Sequence, residues 1–168
     1  METPEGLLAR LGAAGIAVRH VAHPPVFTVA ESQALRGSLP GLHVKNLFLR
    51  PAKEAGSPCL AVLEETRQVG VNALARLAGW GRVSMADADT LRATLGVEPG
   101  SVTPMGLVNA APGSVRLALD AALARAEGLV WVHPLVNTAS VGLAAPELLR
   151  FLERLGHSVQ VLELDRAD

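Results

Sequence analysis

The chain holds one cysteine, Cys59, so it can build neither an internal disulfide nor a thiolate metal site. It has no tyrosine, two tryptophans and three phenylalanines, too few rings for a general platform that stacks single-stranded bases. Lysine is nearly absent as well: only Lys45 and Lys53 occur, and every other cation is arginine. The N-terminal "METPEGLLARLGAAG" has early acids and too short an apolar run for a signal peptide. The most apolar stretch, "GLVWVHPLVNTASVGLAAP", is interrupted by His133, Pro134 and Asn137, which argues against a membrane span. These absences predict a cytoplasmic protein with no membrane partner. P-loop, dinucleotide fingerprint and serine-centred nucleophile elbow are all missing. His20, His23, His43 and His157 have no metal-ligand spacing with one another or with Cys59. We therefore expect no metal and no cofactor, and neither a covalent hydrolase nor a nucleotide-dependent enzyme.

What remains is an apolar, foldable chain. Its 168 residues suit one domain spanning 1–168, and 49% hydrophobic content with a mean hydropathy of +0.31 excludes disorder. The net charge of −1 is unevenly spread. Residues 36–82 carry seven cations against three acids, whereas residues 85–168 carry six arginines against ten acids. Such a basic half can dock a polyanion, or it can simply be solvated surface.

Helical spacing and end signals predict helices over "TPEGLLARLGAAG", "TVAESQALRG", "VGVNALARLAGW", "SMADADTLRATLG" and "APELLRFLERLG". Thr28 is the expected cap of the second, with Glu31 completing a capping box and Gly37 ending it; Ser84 is the expected cap of the fourth. Apolar or alternating runs predict strands at "IAVRHVA", "VKNLFLR", "CLAVLEE", "GLVWVHP", "NTASVGLA" and "HSVQVLEL". "SVRLALDAAL" reads as a strand that turns helical, "HPP" as a strand breaker, and "VEPGSVTPMG" as a loop. The elements mix without strict βαβ alternation, which implies an α+β fold with a mixed, mostly antiparallel sheet curled toward a barrel and flanked by helices.

Three places set special residues among apolar ones. Lys45-Asn46 opens a buried strand, and Lys45 shares a face with Leu47 and Leu49. A half-desolvated lysine there is an anion contact, an amine of lowered basicity, or merely a strand-end lysine reaching for water. Gly100-Ser101-Val102-Thr103-Pro104 is a stiff loop whose amides could converge on an oxyanion or phosphate, though most such loops are only turns. In "VHPLVNTASVGLA", His133, Asn137, Thr138 and Ser140 punctuate two apolar strands; a lone histidine in that setting is more often a hydrogen-bonded core residue than a catalyst.

Taken together and in order, "VKNLFLR", "GSVTP" and "HPLVNTASVGL" resemble the signature of the YbaK-like, prolyl-tRNA-synthetase-associated editing domains, and most of all their freestanding ProXp-ala (PrdX) branch. The likeness runs over nearly the whole chain. It implies trans-editing, the hydrolysis of alanine wrongly esterified to proline tRNA. It places the family's lysine at Lys45, its glycine-to-proline loop at Gly100 through Pro104, and its pocket histidine at His133. An aminoacyl ester is already activated, so hydrolysis needs a placed water and oxyanion stabilisation, here from the amides of residues 101–103. Lys45 would hold the terminal adenosine's phosphate or carbonyl. His133, Ala139 and Val141 would set a size limit that excludes proline, with Asn46, Asn137 and Ser140 as further pocket residues. A second sieve is needed because missing methylenes forfeit only ~1–3 kcal/mol each in a synthetase pocket. Arg50, Lys53, Arg76 and Arg82 would meet RNA phosphates or acceptor-stem edges, and the 26–38 helix could act as a lid. The expected partner is the acceptor end of proline tRNA carrying alanine, passed transiently by prolyl-tRNA synthetase or an elongation factor. Three alternatives stay open: the same chemistry on cysteinyl or seryl esters, a non-catalytic module that binds tRNA or synthetase, and a small-molecule pocket protein that uses Lys45 as a carboxylate anchor.

Overall fold

A computed structural model describes residues 1–25, 29–53 and 56–164. Helix α1 (Pro4–Ala13) starts where Thr3 accepts a hydrogen bond from the Gly6 amide. Strand β1 (Arg19–Ala22), helix α2 (Val29–Ser38) and the ten-residue strand β2 (Leu42–Pro51) follow. Thr28, the expected cap of α2, lies outside the described residues, and α2 runs one residue beyond Gly37. Next come β3 (Cys59–Glu64), α3 (Val71–Ala78), the short β4 (Val83–Met85) and α4 (Ala88–Leu95). The chain closes with β5 (Arg116–Asp120), α5 (Ala121–Ala124), β6 (Leu129–Val132), β7 (Ala139–Ala144), α6 (Ala145–Arg154) and β8 (Val159–Leu162).

Two local expectations are corrected. Asp87, not Ser84, caps α4: its Oδ1 accepts the Thr90 amide at 2.7 Å, while Ser84 pairs with Arg50 inside β4. Both residue types cap well, and tertiary pairing with β2 decides between them. Part of the expected loop "VEPGSVTPMG" is a 3-10 helix, Pro104–Asn109. Thr103 caps it and Pro104 supplies the preset backbone angle at its first position.

The sheet runs β1-β7-β6-β2-β3-β5-β8, with β4 pairing β2 off this path. Its ladders are mixed: β1/β7, β6/β7, β2/β3 and β2/β4 are antiparallel, and β2/β6, β3/β5 and β5/β8 are parallel. The sheet curls without closing, because β1 and β8 end the order unpaired with each other. Strand β2 is the hinge of the architecture. On one edge it pairs β3 along Val44–Leu49; on the other it pairs β6 at Leu42 and His43, and β4 from Leu49 onward.

Alternation along β2 divides the core in two. Phe48 joins Leu60, Val62, Leu117, Val130, Val141 and Leu143 in the main core, which α1, α4 and α6 cover. Leu47 and Leu49 face the other way, toward Ala61, Leu63, Leu74 of α3 and Trp80. Strand β3 is therefore buried on both faces, which explains its unbroken apolar run. Each fully buried leucine adds about 1.5–3 kcal/mol. On β7, Gly142 leaves room for the Trp131 indole: a Cβ there would stand 2.9 Å from the ring. No helix among the described residues is long and apolar enough to cross a membrane.

Candidate active site

Asn46 shares the main-core face of β2 with Val44 and Phe48, and its Nδ2 donates to the Val102 carbonyl at 2.9 Å. That bond ties the Gly100–Pro104 loop to the strand. The loop is held from its other side by Thr103, a fully buried residue whose Oγ1 donates to the His133 carbonyl at 2.6 Å. The same oxygen accepts the Met105 amide at 3.2 Å. Gly100 has φ +92°, and the nearest atom to a Cβ built there would be Asn137 Nδ2 at 3.9 Å. Space is available, so the left-handed backbone is what requires glycine. Asn46, Gly100, Val102, Thr103, His133 and Asn137, far apart in sequence, thus meet in one region.

The loop's amides are not equivalent. Ser101 N–H is engaged by the Glu98 carbonyl at 2.9 Å, so the expectation that residues 101–103 all serve an oxyanion is reduced. The amides of Val102 and Thr103 have no partner among the described residues and are the candidate oxyanion donors. Backbone strain lies two residues beyond the His133 that holds Thr103: Leu135, in the β6–β7 connection, sits at φ +73°, an uncommon conformation for a bulky side chain.

His133, which holds the loop through Thr103, also lines a cavity of ≈ 160 Å³ with Leu35, His43, Val44, Glu65, Trp131, Val132 and Ser140; no residue of the loop lines it. His133 Nδ1 donates to the Ala139 carbonyl at 3.2 Å, since a carbonyl can only accept, and this leaves Nε2 bare. Burial pushes the His133 imidazole below its usual acidity range; the Ala139 carbonyl opposes this, and the nearness of His23 adds to it. Sequence reasoning missed His23, Glu65, His43 and Trp131. His23 Nε2 stands 2.8 Å from Ser140 Oγ, and His43 stacks on Trp131 with ring centroids 6.1 Å apart. Only the "HPP" break marked His23 in sequence, and it pointed to chain direction rather than chemistry.

Two expectations about the pocket wall are corrected. Val141 is fully buried in the main core, on the opposite face of β7 from Ser140, and does not line the cavity. Ala139 contributes its carbonyl rather than its methyl. Lys45 does share a face with Leu47 and Leu49, but that face points away from Asn46. Its amine donates to the Arg67 carbonyl, across β2 from the Val102 and Thr103 amides it was expected to join.

Arg50, Lys53, Arg76 and Arg82 are all exposed and fall on neighbouring concavities. One, of ≈ 490 Å³, is lined by Arg50, Lys53, Ser84, Thr90 and Thr94. It continues through Lys53 into a second that holds Arg82 and Arg116, and Arg82 links that one to Arg76.

The sequence of this chain matches the family model described as aminoacyl-tRNA editing domain over residues 23–151. The chain belongs to that family. All the residues gathered above fall within the matched span. The editing domain is 36% identical over 168 residues to prolyl-tRNA synthetase associated domain-containing protein 1 of Bos taurus, covering 98% of this chain and 97% of that protein. It is 29% identical over 164 residues to prolyl-tRNA editing protein ProX of Acetoanaerobium sticklandii, covering 98% and 99%. Among solved structures, hypothetical protein APE2540 superposes with a TM-score of 0.70 at 25% identity, over 93% of this chain and 97% of that one. The mixed α+β fold with an open, curled sheet is the fold of this editing domain.

One half-buried histidine, His133, and one buried histidine, His157, make the domain's stability depend on pH. Burial lowers the affinity of both His133 and His157 for protons; backbone groups of Leu107 and Val115 oppose this at His157, which is 1% exposed. In the unfolded chain both titrate near the ordinary value of about 6.5. Above that pH both states are neutral and stability is complete. As pH falls through it, the unfolded chain takes up protons first, and stability drops by up to ~1.4 kcal/mol per histidine per pH unit until the lowered folded-state values are passed. Urea unfolding at pH 7.5 and 5.5 checks this: the midpoint should fall, and His157→Gln should remove part of the fall.

Proposed function

We propose that this editing domain is an aminoacyl-tRNA deacylase that hydrolyses alanine from mischarged proline tRNA. One observation carries the reading: Thr103, whose amide and that of Val102 are unengaged among the described residues, is bonded to His133, and His133 with Ser140 lines a ≈ 160 Å³ cavity. That volume is well below the ~300–1,000 Å³ of ordinary ligand sites, so it suits a very small acyl group. A water placed in the cavity attacks the ester carbonyl, and the two amides receive the developing oxyanion. Family membership and the name of the A. sticklandii relative support prolyl-tRNA editing as the context. The chain of basic concavities from Arg50 to Arg76 receives phosphates of the acceptor end.

The test is deacylation of proline tRNA charged in turn with alanine, cysteine, serine or proline. Alanine should be released fastest and proline at the rate of buffer alone. Equal release of alanine and proline would remove the size sieve; cysteine or serine fastest would reassign the substrate; no release above buffer would leave a tRNA-binding module.

A further inference from the structure

His23 is bonded to the cavity wall through Ser140, and the mechanism above does not use it. Its position is over-determined. Its backbone amide donates to the Thr138 carbonyl at 2.9 Å, and its ring Nδ1 lies 2.9 Å from the Pro24 carbonyl. Pro24 and Pro25 stiffen that carbonyl, because each ring presets its own backbone angle and Pro25 restricts the residue before it. A carbonyl accepts and never donates, so Nδ1 carries the proton and Nε2 of the neutral ring is bare. Ser140 Oγ, 2.8 Å from that bare nitrogen, is therefore the donor. The Ser140 proton points at His23, and the oxygen's lone pairs are left for the cavity that Ser140 lines. Oriented this way, a hydroxyl can accept a hydrogen bond from a water while losing its own proton to a base behind it.

We propose that Ser140 and His23 form the proton relay for the hydrolytic water, an inference that rests on the deacylase reading. As the water oxygen bonds to the ester carbon, its O–H bond breaks and that proton goes to Ser140 Oγ. Ser140's original proton passes to His23 Nε2, and the Pro24 carbonyl supports the imidazolium through Nδ1–H. When the carbon–oxygen bond to the ribose breaks, the proton returns through Ser140 to the leaving oxygen. The products are the amino acid, which releases its carboxyl proton to solvent, and a ribose hydroxyl. Ser140 touches the reacting water; His23 is a positioning residue and proton acceptor that acts through it. The other titratable groups around the cavity are His133 on the β6–β7 connection, His43 on β2 and Glu65 after β3. His133 also presents a bare Nε2 and is the direct rival.

The experiment is single-turnover release of alanine from alanyl-charged proline tRNA between about pH 8 and 5, the span over which histidines change charge. The intact chain is compared with Ser140→Ala, His23→Asn, the double variant and His133→Asn. Asparagine at position 23 can keep a hydrogen bond to Ser140 but cannot titrate. Ser140→Ala and His23→Asn should each slow the chemical step about 10²-fold or more, with little change in KM. The double variant should be no slower than either single one, because the pair acts as a unit. The loss of rate on acidification should vanish in His23→Asn and persist in His133→Asn. Thermal unfolding and binding of uncharged tRNA, both unchanged, establish that the variants are folded. The relay is overturned if folded His23→Asn keeps its rate within threefold, or if the acid loss disappears with His133 instead. Intact chain that releases no alanine overturns the deacylase reading itself; intact chain that releases it alongside equally active variants overturns the relay alone.

Discussion

Replacing Asp120 with alanine is expected to remove about 3–5 kcal/mol of stability, a large part of the ~5–15 kcal/mol that holds a domain together. Asp120 ends β5 with a fully buried carboxylate that serves three segments. It accepts the Glu64 amide at 3.0 Å, the Ala122 amide at 2.9 Å, and Arg67 Nε and Nη2 at 2.9 and 3.2 Å. Alanine leaves two amides without this acceptor and the mostly buried Arg67 guanidinium without its carboxylate. The uncompensated charge makes the loss far larger than the net worth of the pair. Thermal unfolding should shift down on the order of 10 °C for a chain of this length. Adding Arg67→Met should recover part of that, since no buried charge then remains; losses that simply add would show that the pair is not coupled. Because the Arg67 carbonyl receives Lys45, Asp120 also sets where that amine rests.

Thr103→Val is expected to lower deacylation about 10²- to 10³-fold, the worth of a displaced oxyanion donor. Valine keeps the shape but loses both bonds of the hydroxyl, the one to His133 and the one from Met105. Without the bond to His133, the segment that carries the Val102 and Thr103 amides loses its anchor to the β6–β7 connection. The loss should fall on kcat, because the role proposed for these amides is to meet charge that exists only in the transition state. Thr103→Ser keeps the hydroxyl and should stay within a few-fold of the native rate. Equal losses for serine and valine would assign Thr103 to packing through its methyl group.

Which parts were legible follows from the range of the forces involved. Strands β2 and β3 were readable because "KNLFLR" and "CLAVLE" are apolar runs with turn signals between them. The reaction class and the weight given to Lys45, Gly100–Pro104 and His133 came from resemblance to a family, since each pattern alone is ordinary. The Ser84 cap and the loop reading of Pro104–Asn109 failed because the sequence offers two capping residues in one case and mixed Pro/Gly signals in the other. His23 was unreadable as a site residue: 117 positions separate it from Ser140, and no local pattern spans that gap.

Composition, periodicity and end signals by themselves settled most of the strands and helices, though not β4 or the 3-10 helix, because those choices depend largely on neighbours a few residues away. Alternation also placed Lys45 with Leu47 and Leu49 before any coordinates. Only the tertiary structure decided what covers each face of β2: Val102 and Thr103 over Asn46, the Arg67 carbonyl over Lys45. The reason is that side-chain parity along a strand is a local property, whereas the partner packed against each side comes from sheet order, and that is set by burial across the whole chain.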